Sequence, residues 1–286
     1  MRCPFSACGL FMGSSNVTFH LQSMELQHHP LVASAGVTLS VAVRAALQSS
    51  LPLLCQTQRF ASAKLLGQIW GLSADYLVAI GEDEVGERRY FYCVDGVSWA
   101  ALPTASEPER ALCSRLPAGL PFTGDPSHSL TLPELEDDAA EAEPAEPPSV
   151  SEEVRLAVTV EQIENECAMV PKGALAPTAW GGFRSDPSFG GIKAEAALNL
   201  SSYVLRNCKA PKAGPMAFSA DTLASADSTV PAGALCTRLD PATGAALVRS
   251  LLFPGFVAYC QPNTPVYGYC YFGDGKKNVD IPFMLP

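Results

Sequence analysis

Apolar positions along the chain change their period several times, and each change marks an element. Over residues 38–51, Leu39, Val43, Ala46 and Leu47 recur at i, i+4, i+7 and i+8. That spacing predicts a helix capped by Thr38 and stopped by Pro52. From Lys64 the period shortens to two. KLLGQIWGLSADYLVAIGE holds two apolar runs around Gly71–Asp75, a predicted hairpin, and RRYFYCVDGVSWAALP supplies a third strand and room for a fourth. Strand follows strand through short turns, which predicts an antiparallel meander and no βαβ array. The helical period returns at 152–167, where Leu156, Val160, Ile163 and Cys167 form one stripe ending before Pro171. Ser149-Val150-Ser151-Glu152 is its candidate capping box. Asp186-Pro187 is expected to open a third helix with Ile192, Ala196, Leu200 and Tyr203 on one face. From Gly233 the chain is extended again. GALCTRL, ALVRSLLF, FVAYC, VYGYCYF and NVDIPFML predict about five strands, with turns at DPATG and Pro254-Gly255.

The expected fold class is therefore α+β, with antiparallel β-rich sheets, about three helices and an acidic flexible linker. The expected divisions are an N-terminal extension without fixed structure over 1–36, a helix plus meander over 37–132, the linker over 133–151, and a helix-and-sheet part over 152–286. The two ordered parts are expected to pack as one unit.

The last two predicted strands flank Gly273-Asp274-Gly275-Lys276-Lys277, which invites comparison with a phosphate-binding loop. A P-loop needs G-x4-G-K-[ST] between a strand and a helix, because nested N–H groups and the helix N-terminus hold the phosphates. Here the spacing differs, Asn278 follows Lys277, and the next segment alternates as a strand with Val279, Ile281, Phe283 and Leu285 on one face. Asp-Gly between alternating strands predicts a hairpin tip. Tyr267, Tyr269 and Tyr271 then share a face opposite Gly268, Cys270 and Phe272. The alternative reading is a soluble cytosolic binding or enzymatic module that uses the Gly273–Lys277 turn for an anionic ligand.

Charge sharpens this picture. The formal net charge of the 286 residues is −10, from 29 acids and 19 Lys and Arg. Nine of the acids fall between Glu134 and Glu153, a stretch rich in Pro and Ala without a basic or aromatic residue. The remaining 20 acids nearly balance the bases, which argues against a nucleic-acid binder, since that needs a basic face to neutralise phosphates. The acidic run cannot bury enough surface to offset its ordering entropy. No run of 18 apolar residues occurs, so the sequence predicts no membrane span.

The ten cysteines are scattered singly without Cys-x-x-Cys, and only four His occur, which argues against zinc and for reduced thiols inside a cell. The start, MRCPFSACGLFMG, has a short apolar stretch broken by Pro4 and Gly9, a poor secretory signal. A start of the functional chain at Met24 fits better, with Met1–Ser23 as an extension.

Candidate chemistry is sparse. There is no G-x-S-x-G, and after Met24 only His28, His29 and His128 remain. Gly181-Gly182 and Gly190-Gly191 lack the strand-turn-helix frame of a dinucleotide site. No cofactor is expected. Aromatic residues, by contrast, crowd the two predicted meanders. Most are expected to be core, and Trp70, Tyr76, Trp99, Tyr267, Tyr269 and Tyr271 are the candidates for contact with a partner, because a Tyr buries apolar area while keeping its hydroxyl bonded.

Seven stretches together carry a family resemblance: GQIWGLSADYLVAIG (67–81), VSWAALP (97–103), FTGDPS (122–127), EEVRLAVTVEQIENECAMVPKGAL (152–175), LNLSSYVLR (198–206), LVRSLLFPGFVAY (247–259) and YGYCYFGDGKKNVDIPFML (267–285). In this order they resemble the radial spoke head protein 9 family of ciliary and flagellar axonemes. The VPKGAL block also resembles the paralogous spoke head subunits 4 and 6. The resemblance implies a non-enzymatic structural subunit without cofactors. The implied partners are subunits 4 and 6, then subunits 1, 3 and 10, in a head that meets the central-pair projections and signals to the dynein arms. Neither nucleic acid nor membrane is implied as a partner, and the family offers no catalytic residues to carry over.

Overall fold

The computed structural model describes residues 29–36, 38–117, 119–132, 148–178, 182–209 and 223–284. The Met24 start and most of the acidic run, 133–147, lie outside the described residues. Residues 29–36, expected to belong to the unstructured extension, hold a short helix α1 (His29–Val32) and a 3-10 turn (Ala33–Ala35), with Val32 fully buried.

Helix α2 spans Val41–Gln58 and departs from expectation at both ends. Ser40 caps it in place of Thr38, its Oγ accepting from the Val43 N–H at 3.2 Å. Pro52 lies inside the helix and does not end it. An interior proline costs about 3 kcal/mol, but the buried face of Leu47 and Leu51 continues to Leu54. Each such leucine contributes about 1.5–3 kcal/mol on burial, so the apolar stripe outweighs the breaker.

The chain then forms β1 (Ser62–Ile69), β2 (Tyr76–Glu82), β3 (Arg88–Cys93) and β4 (Ala100–Ala101). Helix α3 (Glu107–Arg115), β5 (Ser129–Thr131), β6 (Ser149–Ser151), α4 (Glu152–Cys167), β7 (Met169–Pro171), β8 (Leu175–Pro177) and β9 (Phe183–Ser185) follow. The C-terminal part comprises α5 (Ala194–Ala197), β10 (Tyr203–Lys209), β11 (Leu223–Ser225), β12 (Leu235–Leu239), β13 (Ala246–Ser250), β14 (Phe256–Cys260), β15 (Tyr267–Gly273) and α6 (Ile281–Met284).

The class is α+β as expected, with mostly antiparallel sheets and, among the described residues, three helices longer than one or two turns: α2, α3 and α4. One of the three is not where the pattern placed it. The stretch after Asp186-Pro187 makes only the four-residue α5 and a 3-10 turn at Leu200–Ser202, and Tyr203 already belongs to β10. Helix α3 stands instead at 107–115, fastened by a capping box between Ser106 and Glu109. For α4 the cap is Ser151, one residue before Glu152, because Ser149 and Val150 pair with β5.

Eight strands share one sheet in the order β12-β13-β14-β15-β1-β2-β3-β4. Both meanders are antiparallel, as their short turns require, and they join through a parallel pair of β1 with β15 that no turn announces. Gly67 opposes Tyr271 at this seam. A Cβ there would sit 1.8 Å from the Tyr271 carbonyl oxygen, so only glycine lets the strands approach.

The seam also overturns the terminal hairpin. Strand β15 has β14 on one edge and β1 on the other, which leaves no edge for a further strand. NVDIPFML therefore turns away. Asp274 Oδ1 accepts from the Lys276 N–H at 3.2 Å, and the Asn278 N–H donates to the Leu252 carbonyl at 2.7 Å. Among its described residues only Ile281 is buried, while Val279 is 62% and Phe283 89% exposed.

The strands alternate cleanly across the sheet. Leu65, Leu77, Phe91, Val257 and Phe272 meet α2 on one face. Leu66, Tyr76, Ile80, Phe256 and Tyr269 meet α4 and the three-stranded sheet β11-β10-β7 on the other.

Candidate partner surfaces and the buried polar core

The tyrosine-bearing face surrounds a chain of charges. Glu164 of α4, 1% exposed, accepts on Oε2 from Tyr269 Oη (3.0 Å), Tyr90 Oη (3.2 Å) and Arg88 Nη1 (3.0 Å). Arg88 Nη1 also donates to Tyr269 Oη at 2.5 Å, and its Nε reaches Glu82 Oε2 at 3.2 Å. Arg206 of β10 closes the chain on Glu82 Oε1 at 3.4 Å and on the Phe183 carbonyl at 2.9 Å. Two guanidinium groups thus face two carboxylates, which is how buried charge is tolerated. Burial alone would lower the Arg88 pKa, but Tyr269, Glu164 and Glu82 outweigh it and hold Arg88 well above its ordinary value. Arg206 is lowered, first by burial and then by the neighbouring Arg88. Glu164 Oε1 is enclosed without a hydrogen-bond partner.

A second carboxylate fastens the other end of α4. Glu152, fully buried, accepts from Tyr76 Oη at 2.8 Å and from the Thr123 and Gly124 N–H groups at 2.9 Å. Glu153 accepts from Tyr92 Oη at 3.0 Å, and Tyr92 is pushed up to about 12 by burial and then by this bond.

Four of the six aromatic candidates are therefore inside the chain's own core. Tyr76 and Tyr269 hold glutamates, Tyr267 donates to the Ala174 carbonyl (3.1 Å), and Tyr271 Oη accepts from the Gly275 N–H (2.8 Å). Trp99 is half-buried against the α2 side, with its indole N–H enclosed and unpartnered. Trp70 is 51% exposed at the end of β1.

The Gly273–Lys277 loop is likewise committed internally. Its Gly275 N–H is taken by Tyr271, Lys276 pairs with Asp274 at 3.5 Å, and Lys277 pairs with Glu166 at 2.6 Å. Gly275 has φ of +76°, and a Cβ there would meet the Phe122 ring at 2.7 Å. The loop is a packed strap, with its cations already matched by carboxylates.

A cleft of about 400 Å³ opens between β3, β4 and α4, lined by Arg89, Tyr90, Leu102, Arg110 and Glu161. Arg110 is forked on Glu161 at 3.1 Å and touches Glu107 at 3.3 Å. Among the described residues no three His, Cys, Asp or Glu converge as metal ligands. Burial pushes the Cys167 and Cys260 thiols up to about 12, so they stay protonated and lack the thiolate of a nucleophile.

The glutamate anchors are not among the candidates that the sequence pattern yields, although they leave a signal in it. Glu152, Leu156, Val160 and Glu164 repeat every four residues, so both carboxylates extend the apolar stripe of α4.

No family model matches the sequence. Full-length relatives do. The radial spoke head protein 9 homolog of Danio rerio is 35% identical over 267 residues, covering 89% of this chain and 96% of its own length. The homologs of Mus musculus and Homo sapiens are 35% and 33% identical with the same coverage. The chain belongs to the radial spoke head protein 9 family. Of the seven stretches that resemble this family, four build most of the large sheet and its supports: β1 with β2, β13 with β14, β15 with its strap, and α4 with β7.

Proposed function

We propose that the chain is a structural subunit of the radial spoke head in ciliary and flagellar axonemes. It assembles there with other spoke head proteins, with subunits 4 and 6 as direct neighbours and subunits 1, 3 and 10 nearby. The assembled head touches central-pair projections and relays that contact to the dynein arms. The observation that carries this reading is the likeness to vertebrate spoke head proteins along 96% of their length. Two features of the molecule agree with it. The tyrosines and carboxylates are engaged with one another inside the core, and the cations of the Gly273–Lys277 loop are paired. A scaffold needs no reactive group, and nothing supports an anionic ligand at that loop. No helix among the described residues is long and apolar enough to cross a membrane.

Electron cryo-tomography of axonemes from cells lacking this chain tests the proposal. Missing or collapsed spoke heads, restored by the full chain, are expected. Complete heads with normal beating in its absence would overturn it.

A further inference from the structure

The direction of the strands sorts the exposed apolar residues. Strands β1, β3, β13 and β15 end at one rim of the large sheet, where β2, β4 and β14 begin. Eight of the fourteen large apolar side chains that stand exposed among the described residues belong to the connections at this rim. Trp70 and Leu72, the latter 72% exposed, come from the β1–β2 loop, and Leu251 follows β13. Val279, Phe283 and Met284 come from the strap after β15. Hydrogen bonds bring these segments together: the Trp70 N–H donates to the Gly273 carbonyl at 2.9 Å, and the Asn278 N–H to that of Leu252 at 2.7 Å. The β3–β4 loop extends the row with Val94 and Val97. Among the described residues the opposite rim exposes only Val85 and Leu239 in this class.

Scattered apolar side chains need no explanation, but their concentration on one rim does. Charge narrows the occupant. Asp75, Asp95 and Asp280 stand among the rim loops without a cationic partner among the described residues, while Lys276 and Lys277 are already paired. A second copy would oppose the same aspartates across a two-fold axis, like charge against like charge. We infer that this rim is the docking surface for a different protein, one that presents an apolar face fringed by Lys or Arg. The inference rests on the spoke head reading, which supplies the assembly where such a partner is found.

The test uses full-length chains expressed in ciliated cells that lack the endogenous one. The rim pair Leu72→Asp with Phe283→Asp is compared with the opposite-rim pair Val85→Asp with Leu239→Asp. Thermal melts of the purified chains are expected to match the unsubstituted chain, since all four side chains are exposed. Quantified in isolated axonemes, the rim variant is expected to fall about tenfold, the scale of one central interface residue, while the control stays. Asp280→Lys is expected to lower incorporation about two- to fivefold, as a rim charge does. In sedimentation velocity the purified chain is expected to be a monomer. Normal incorporation of the rim variant, or an equal loss of the control, overturns the surface. Self-association abolished by the rim pair, or an unchanged Asp280→Lys, overturns the basic-fringed partner. Absence of the unsubstituted chain from axonemes overturns the spoke head reading itself, a result distinct from the others.

Discussion

Under α2, Leu47, Leu51 and Leu54 meet Leu65, Leu77 and Phe91, and the contact is apolar shape against apolar shape. Under α4, alternate residues of the same strands turn Tyr76, Tyr90, Tyr92 and Tyr269 towards Glu152, Glu153 and Glu164. One sheet thus carries two kinds of core. The apolar face loses stability in proportion to the volume removed, whereas the polar face depends on every partner being present, because a charge left alone in a low dielectric is costly.

Breaking the polar face is expected to have the largest effect. Arg88→Ala strips Glu164 and Glu82 of their common cation and should cost about 3–5 kcal/mol in urea unfolding. Adding Glu164→Leu should recover much of that loss, since the stranded carboxylate is then gone. If the double variant were as unstable as the sum of the singles, the two groups would not form one network. On the other face, Leu47→Ala should cost about 2–5 kcal/mol, set by the cavity beneath α2, and no second substitution among charged groups should repair it.

Alkali gives a smaller and graded contrast. Cys167 and Cys260, on the α4 side, have thiols raised by burial from 9.0 to about 12. The folded chain therefore holds protons that the unfolded chain releases. Stability should be complete below pH 9 and decline as pH rises towards 12, by about 1.4 kcal/mol per pH unit for each thiol once above pH 9. Cys167→Ala with Cys260→Ala should make the decline shallower when unfolding is measured from pH 7 to 11, leaving the share of the other buried groups such as Cys93, which is also raised to about 12, and an unchanged slope would contradict the assignment.

Local pattern foretold the elements better than their company. The alternation in VYGYCYF places Tyr267, Tyr269 and Tyr271 on one face and Cys270 and Phe272 on the other, but it does not tell that α4 covers the tyrosines. NVDIPFML alternates just as well and is no strand, because period reports only whether a segment could line a face. It says nothing about whether an edge is vacant. The decisive fact, that β1 flanks β15, links residues about 200 apart and leaves only Gly67 as its trace. Pro52 failed as a stop because a local penalty met a longer apolar stripe. The glutamates of α4 were passed over because a charge within a stripe is ordinarily read as its end. Here each found a tyrosine.

The central claim is that the seam between β1 and β15 makes the two meanders one body, stiff enough to serve as a scaffold. Native-state hydrogen exchange of the purified chain tests it most directly. The amides of Leu65–Ile69 and those of Tyr269–Phe272 should exchange through the same global opening, with equal free energies and equal dependence on denaturant. If the C-terminal strands kept their protection after β1–β3 had exchanged, the meanders would be separate units and the claim would be wrong.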